Sequence, residues 1–125
     1  MSEVLIITGP PGAGKSTIAK KLAEIADKGA VINVDELREL IKAGFVNPWD
    51  KNKQAREQIN LGIKNACSLA NNFLELGFNI FIDDVVASDE SIELYKKLLN
   101  KKPAFFLLLP STSILVERDS QRKLN

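Results

Sequence analysis

Apolar and polar positions along the chain fall into blocks whose period switches between that of a buried strand and that of a helix. Val4-Leu5-Ile6-Ile7 is a short apolar, β-branched run that reads as a buried strand. Beyond it Ile18, Leu22, Ile25 and Ala26 fall at helical spacing, and Gly29 stands where that helix should stop. A second strand is expected over 30–34, and Asp35 at its carboxyl end is placed to cap a helix over 36–43 closed by Gly44. Residues 45–50, which include Pro48 and Trp49, show no period. Ala55, Ile59, Ile63, Ala66, Ala70, Phe73 and Leu74 then keep three- and four-residue spacing, which predicts one long helix over about 51–76 ended by Gly77. Residues 78–82 read as a third strand running into Asp83-Asp84. Ser88 with Asp89-Glu90 marks another helix start, with Ile92, Tyr95, Leu98 and Leu99 as its buried face. Residues 103–109 are a fourth strand, apolar throughout; Pro110 breaks it, and Ser111 can cap a last helix carrying Arg118 and Arg122.

Strands that are apolar on both faces and alternate with helices imply an α/β fold: a parallel sheet with helices on both faces. With 125 residues and no repeats or low-complexity tracts, the chain is expected to form one domain over 1–125. In such a sheet, ligands bind beyond the carboxyl ends of the strands.

Composition narrows the chemistry. A formal net charge of +1 supplies no global field to draw in nucleic acid. Histidine is absent, which excludes histidine catalysis and histidine-ligated zinc. Cys67 is the single cysteine, so no internal disulfide can form, and its place on a predicted apolar helix face makes it a core residue. No apolar run reaches membrane-spanning length and no signal-peptide pattern opens the chain, so a cytoplasmic protein is expected.

The chemistry centres on Gly9-Pro10-Pro11-Gly12-Ala13-Gly14-Lys15-Ser16, followed by Thr17. This is G-x-x-x-x-G-K-[ST] between a strand and a helix, the context that defines a P-loop. Glycines at 9, 12 and 14 let the chain turn tightly and aim successive N–H groups inward, where they can cradle phosphate oxygens; the helix N-terminus adds positive charge. Lys15 can reach the β- and γ-phosphate oxygens, and the Ser16 hydroxyl can ligate magnesium, Mg²⁺.

The strand-end rule gathers further residues. Asp35 and the pair Asp83-Asp84 follow carboxyl ends of strands, so they should meet the P-loop in one crevice. Asp35 is read either as a group that receives a proton or as a simple N-cap, and either Asp83 or Asp84 can serve the metal. Three of the four arginines belong to the same picture. Arg38 lies three residues after Asp35, and Arg118 and Arg122 are four apart on the last helix, where both can point at an anion. Arg56 reads as surface. Trp49, beside Pro48 in a segment overhanging the crevice, is either packing or a wall on which an acceptor stacks.

These residues resemble the small P-loop kinases that phosphorylate hydroxyls, above all the polynucleotide kinase and chloramphenicol phosphotransferase-like P-loop kinases. The polynucleotide kinase domain carries a lysine, serine, aspartate and arginine at the spacing of Lys15, Ser16, Asp35 and Arg38. The resemblance implies an ATP-dependent transfer with Asp35 as general base on the acceptor hydroxyl and Arg38 as an acceptor-side contact. It makes Asp84 the strand-end acid, with Asp83 as the competing register, and Arg118 and Arg122 the lid helix closing on the phosphate. It also implies a sheet order 2-3-1-4-5. A fifth strand finds no counterpart before Asn125, so residues 103–109 are expected to form an open apolar edge that pairs with another copy. A nucleotide-binding or hydrolysing switch without an acceptor is the second functional class. The residues do not separate a small molecule, a nucleotide and a polynucleotide end as acceptor.

Overall fold

Four parallel strands form one sheet in the order β2-β3-β1-β4, where β1 is Val4–Thr8, β2 Gly29–Asn33, β3 Asn79–Asp83 and β4 Ala104–Leu107. This is the expected order 2-3-1-4. The computed structural model describes residues 2–109; the expected last helix, with Arg118 and Arg122, lies outside the described residues. The helices are α1 (Lys15–Ile25), α2 (Val34–Arg38), α3 (Lys53–Glu75) and α4 (Asp89–Leu98), with a 3₁₀ turn at Pro48–Asp50 before α3. Among the described residues no helix is long and apolar enough to cross a membrane.

Side chains of successive strand residues point to opposite faces, so the sheet has two cores. Val4, Ile6, Ile32, Ile80 and Ile82 are buried in one cluster with Ile63, Ala66, Cys67 and Ala70 of α3 and with Tyr95 of α4. Ile7 and Ala19 of α1, both fully buried, stand outside that cluster. The face that α3 buries consists of Ala55, Gly62, Ile63, Ala66, Cys67 and Ala70, all but Ile63 small residues that let a 23-residue helix lie close against its neighbours. Cys67 is a core residue as expected, and burial pushes its thiol up to about 12.

Element ends follow local chemistry. Ser88 and Asn52 cap α4 and α3 through side-chain oxygens that accept from Ser91 N–H (3.1 Å) and Ala55 N–H (2.8 Å). Gly77, at φ 85°, ends α3: its N–H donates to the Leu74 carbonyl and the next N–H, of Phe78, to the Phe73 carbonyl. These are the paired bonds of a Schellman cap, and the rings of Phe73 and Phe78 meet edge to face at 5.3 Å beside them.

Three expectations are corrected. Helix α2 starts at Val34 and has five residues rather than spanning 36–43, because the Leu40 and Ile41 N–H groups bond three residues back and wind it out. Its cap is Asn33, whose Oδ1 accepts from Glu36 N–H at 3.1 Å, so Asp35 is not the cap. Gly29 does not stop α1, which ends at Ile25; it is the first residue of β2 and lies against α1. A Cβ there would sit 2.3 Å from the Ala23 carbonyl oxygen and 2.8 Å from Ala23 Cα, so the crossing of strand and helix needs glycine. Gly29→Ala is expected to cost about 1–3 kcal/mol, as overpacking of a closed contact does. Urea unfolding checks it, and a loss below about 0.5 kcal/mol, the level of an inconsequential surface change, would contradict the close approach.

Candidate active site

The loop from Gly9 to Gly14 leaves β1 with all three glycines at positive φ, 153° at Gly9, 83° at Gly12 and 93° at Gly14. At Gly9 the reason is also steric, since a Cβ would lie 2.1 Å from the Leu108 carbonyl oxygen just beyond β4. Inside the loop Ala13 N–H bonds the Pro10 carbonyl at 3.2 Å, and Lys15 Nζ folds back to donate to the same oxygen at 3.3 Å. Gly14 is the N-cap of α1, and no side chain caps that end. The first-turn N–H groups at Lys15, Ser16 and Thr17 therefore present the partial positive charge of an uncapped helix N-terminus to one cavity. That cavity, of about 430 Å³, is lined by Gly12, Gly14, Lys15 and Ser16 of the loop and by Asn33, Asp35 and Asp83 across from it.

Period-two alternation separates the two adjacent acids. Asp83 ends β3 level with Ile7 of β1 and Asn33 of β2, and it faces the phosphate-loop cavity. Its carboxylate accepts from Asn33 Nδ2 at 3.2 Å and is 6% exposed. Burial pushes its carboxyl above the usual range, while the Lys15 ammonium pulls it back and Asp35 and Glu36 push it further up. Asp84, one residue on, turns to the opposite face and accepts from Tyr95 OH at 2.6 Å, with Arg38 Nη1 3.9 Å away. Burial also raises its carboxyl, against the hydrogen bond from Tyr95 and the charge of Arg38, which favour the ionised form. The Tyr95 hydroxyl, fully buried beside this carboxylate, is pushed far above the ordinary tyrosine value.

Arg38 joins this buried acid to the exposed one. Its Nη2 bonds Asp35 Oδ1, and its side chain is 9% exposed against 64% for Asp35. A buried guanidinium without partners would be costly; here two carboxylates flank it. Room for it comes from Gly62 of α3, where a Cβ would lie 3.2 Å from Arg38 Cγ and 3.2 Å from Val34 Cγ1. The run Tyr95–Asp84–Arg38–Asp35 thus reaches from the core to the open crevice. Thr8 secures the remaining side of the crevice, its Oγ1 accepting from Val86 N–H at 2.9 Å.

Asp35 also lines a second cavity, of about 400 Å³, on the other side of the loop. Pro48, Trp49 and Arg56 form one wall of it, and Val85, Ser88 and Glu90 another. The structure therefore brings the P-loop residues, Asp35 and Asp83 to one cavity, with Arg38 paired to Asp35. Asp84, expected in the same crevice, is turned into the core by the alternation along β3 and lines neither cavity. Arg118 and Arg122 lie outside the described residues. Sequence reasoning missed Asn33, Gly62 and Thr8, and took Tyr95 only as packing. Asn33 sits beside a better-known capping residue, and a helical glycine signals nothing until its neighbour is known.

A family described as an AAA domain matches residues 5–125. The chain belongs to that family. Its fold is that of the small P-loop kinases, as the resemblance implied. Guanylate kinase of Onion yellows phytoplasma (strain OY-M) is 24% identical over 95% of this chain, which spans 63% of the length of that enzyme. Among solved structures, Mycobacterium tuberculosis APS kinase CysC in complex with AMPPNP and APS superposes with a TM-score of 0.62 at 20% identity, covering 98% of this chain and 70% of that one. A chain of the Pnkp1/Rnl/Hen1 complex gives 0.59 at 21% identity, over 99% of this chain and 41% of its own. The family and the fold account for the loop and for the sheet order.

Two outcomes follow from the buried groups. Tyr95→Phe takes the hydroxyl from a buried carboxylate and should lower stability by about 2 kcal/mol in urea unfolding, as loss of a hydrogen bond to a charged group does; a change within 0.5 kcal/mol would contradict the bond. Asp83 titrates higher folded than unfolded, so its ionisation opposes folding, and stability should fall as pH rises through its raised folded value. Without ligand, Asp83→Asn should therefore melt higher than the parent at pH 7.5, with the gap closing as pH falls into the usual carboxylate range; a gap that widens on acidification would refute this.

Proposed function

We propose that the chain is an ATP-dependent kinase that transfers a γ-phosphoryl group to an acceptor hydroxyl. The observation that carries this reading is the position of Asp35, which lines both the phosphate-loop cavity and the Trp49 cavity. A carboxylate at the junction of two cavities suits a base between a donor and an acceptor, and a nucleotide switch has no use for the second cavity.

In this reading the loop N–H groups and the α1 N-terminus hold the β- and γ-phosphates, and Lys15 leaves its resting bond to the Pro10 carbonyl to neutralise them. Ser16 and Asp83 fit Mg²⁺, because one offers an exposed hydroxyl and the other a desolvated carboxylate in the same cavity, where ionisation is favoured by a cation. When bound, Mg²⁺ supplies neutralising charge to the phosphate oxygens. Asp84 stands on the far face, bound to Tyr95 and Arg38, and serves to hold Arg38. Asp35 takes the acceptor's hydroxyl proton as the acceptor oxygen bonds to the γ-phosphorus and the bond to the ADP oxygen breaks. Arg38 fixes the carboxylate of Asp35, and Arg118 and Arg122 are assigned to the migrating charge. The kinases named above, which act on guanylate and APS and include one bound to AMPPNP, support a nucleotide donor and a small acceptor.

The test is transfer of labelled γ-phosphate from Mg·ATP to a panel of nucleosides, nucleotides, sugars, an aminoalcohol antibiotic and 5′-hydroxyl oligonucleotides. Transfer to one class, lost in Lys15→Ala, is the expected result; ATP binding with no transfer to any would favour the switch. The reading also keeps a self-associating chain, because Phe106 and Leu107 of β4, the end strand among the described residues, are exposed. Light scattering should then show a mass above the monomer's 13.8 kDa at high concentration, and a constant monomer mass would remove that part.

A further inference from the structure

The Trp49 cavity is built for more than a hydroxyl. Trp49 is 56% exposed, although the segment that carries it is firmly held. Asn47 Oδ1 accepts from Trp49 N–H at 2.8 Å, while Gln58 of α3 accepts from Val46 N–H and donates to the Gly44 carbonyl, each at 2.8 Å. Lys51, at φ 57°, is the one non-glycine residue with positive φ among the described residues, and it turns the chain from the 3₁₀ turn into α3. A strained turn and three hydrogen bonds that leave a large indole in water fit a wall kept ready for a ligand.

Charge on the same wall points to what the ligand carries. Lys51 and Arg56 both line the cavity, and among the described residues neither is within ion-pair distance of a carboxylate. Lys53, nearby in sequence, is by contrast paired with Glu57. Across the cavity Glu90 is engaged by Asn60 Nδ2 at 3.2 Å. The wall thus offers a flat apolar face, an unpaired guanidinium suited to a planar or phosphate anion, and an ammonium. A volume of about 400 Å³ suits a molecule of mononucleotide size rather than a run of several nucleotides.

We propose that the acceptor is a small hydroxyl compound that carries both a flat ring, stacked on Trp49, and an anionic group, met by Arg56 and Lys51. A nucleoside monophosphate combines these features; a neutral sugar has neither. The word acceptor rests on the kinase reading, whereas the binding chemistry stands on the cavity alone.

Trp49 is the single tryptophan, so its intrinsic fluorescence reports the cavity directly. With Mg·AMPPNP saturating the phosphate loop, the full chain is titrated with nucleoside monophosphates, with the parent nucleosides and with ribose 5-phosphate. A saturable change with a monophosphate is expected, at least about tenfold weaker for the nucleoside and for the ribose phosphate, since each lacks one of the two contacts. Arg56→Ala should weaken the monophosphate to the level of the nucleoside and leave the nucleoside itself unchanged. The inference is overturned if no monophosphate perturbs Trp49, if gluconate or a 5′-hydroxyl oligonucleotide binds more tightly, or if Arg56→Ala changes nothing. Binding without phosphate transfer would keep the inference and sink the kinase; transfer to a ring-free acceptor would do the reverse.

Discussion

The register between β1 and β3 is the constraint on which the rest of the site depends. Pairing Ile7 with Asp83 sets the end of β3 level with the end of β1, just where the glycine loop departs. The Asp84 N–H extends the ladder by one bond to the Ile7 carbonyl at 3.2 Å, so both acids are held by sheet hydrogen bonds rather than by a loose loop. A slip of one residue would turn Asp83 away from the glycine loop and Asp84 away from Tyr95. The buried residues Ile80 and Ile82 guard against such a slip of β3, because it would turn both out of the core.

That arrangement gives two neighbouring carboxylates different environments. Asp83 looks across at Lys15 and keeps access to solvent ions through the phosphate-loop cavity, whereas Asp84 is sealed against Tyr95 and α2. Desolvation raises both, but its compensation differs: the charge of Lys15 for one, a hydroxyl and a guanidinium for the other. The fixed set carries orientation outward, because Arg38, once held by Asp84 and admitted by Gly62, presents its second nitrogen to Asp35. A five-residue helix would be a weak platform by itself. Its stability comes from packing against α3, with Val34 and Arg38 both buried there.

Much of this was legible in the chain and some was not, for identifiable reasons. Strand, glycine loop and helix were readable because their signal is local, and so was the sheet order once the resemblance was drawn. The spacing of Asp35 and Arg38 correctly implied that they face one another. The parity of Ile80, Ile82 and Asp84 was equally visible, but which helix covers which face is set by the crossover and not by the strand, so the two acids remained interchangeable on paper. Capping was misread because Asn33 and Asp35 are both good caps and only the end of β2 decides between them. Tyr95 fell on the apolar face of α4, where its hydroxyl carries no sequence signal. Gly29 was read as the stop of α1, although its role is a close approach to Ala23 in the last turn of that helix, a contact that no local pattern announces.

The account places the acceptor chemistry on Asp35 and the donor chemistry on the loop, Ser16 and Asp83. The most direct test is Asp35→Asn, read by calorimetric titration with Mg·ATP and by single-turnover transfer to the acceptor found for the parent protein. Division of labour predicts Mg·ATP affinity within about twofold of the parent and transfer reduced at least about a hundredfold, the usual worth of a general base. Equal losses in binding and transfer, or full transfer without the carboxylate, would contradict it.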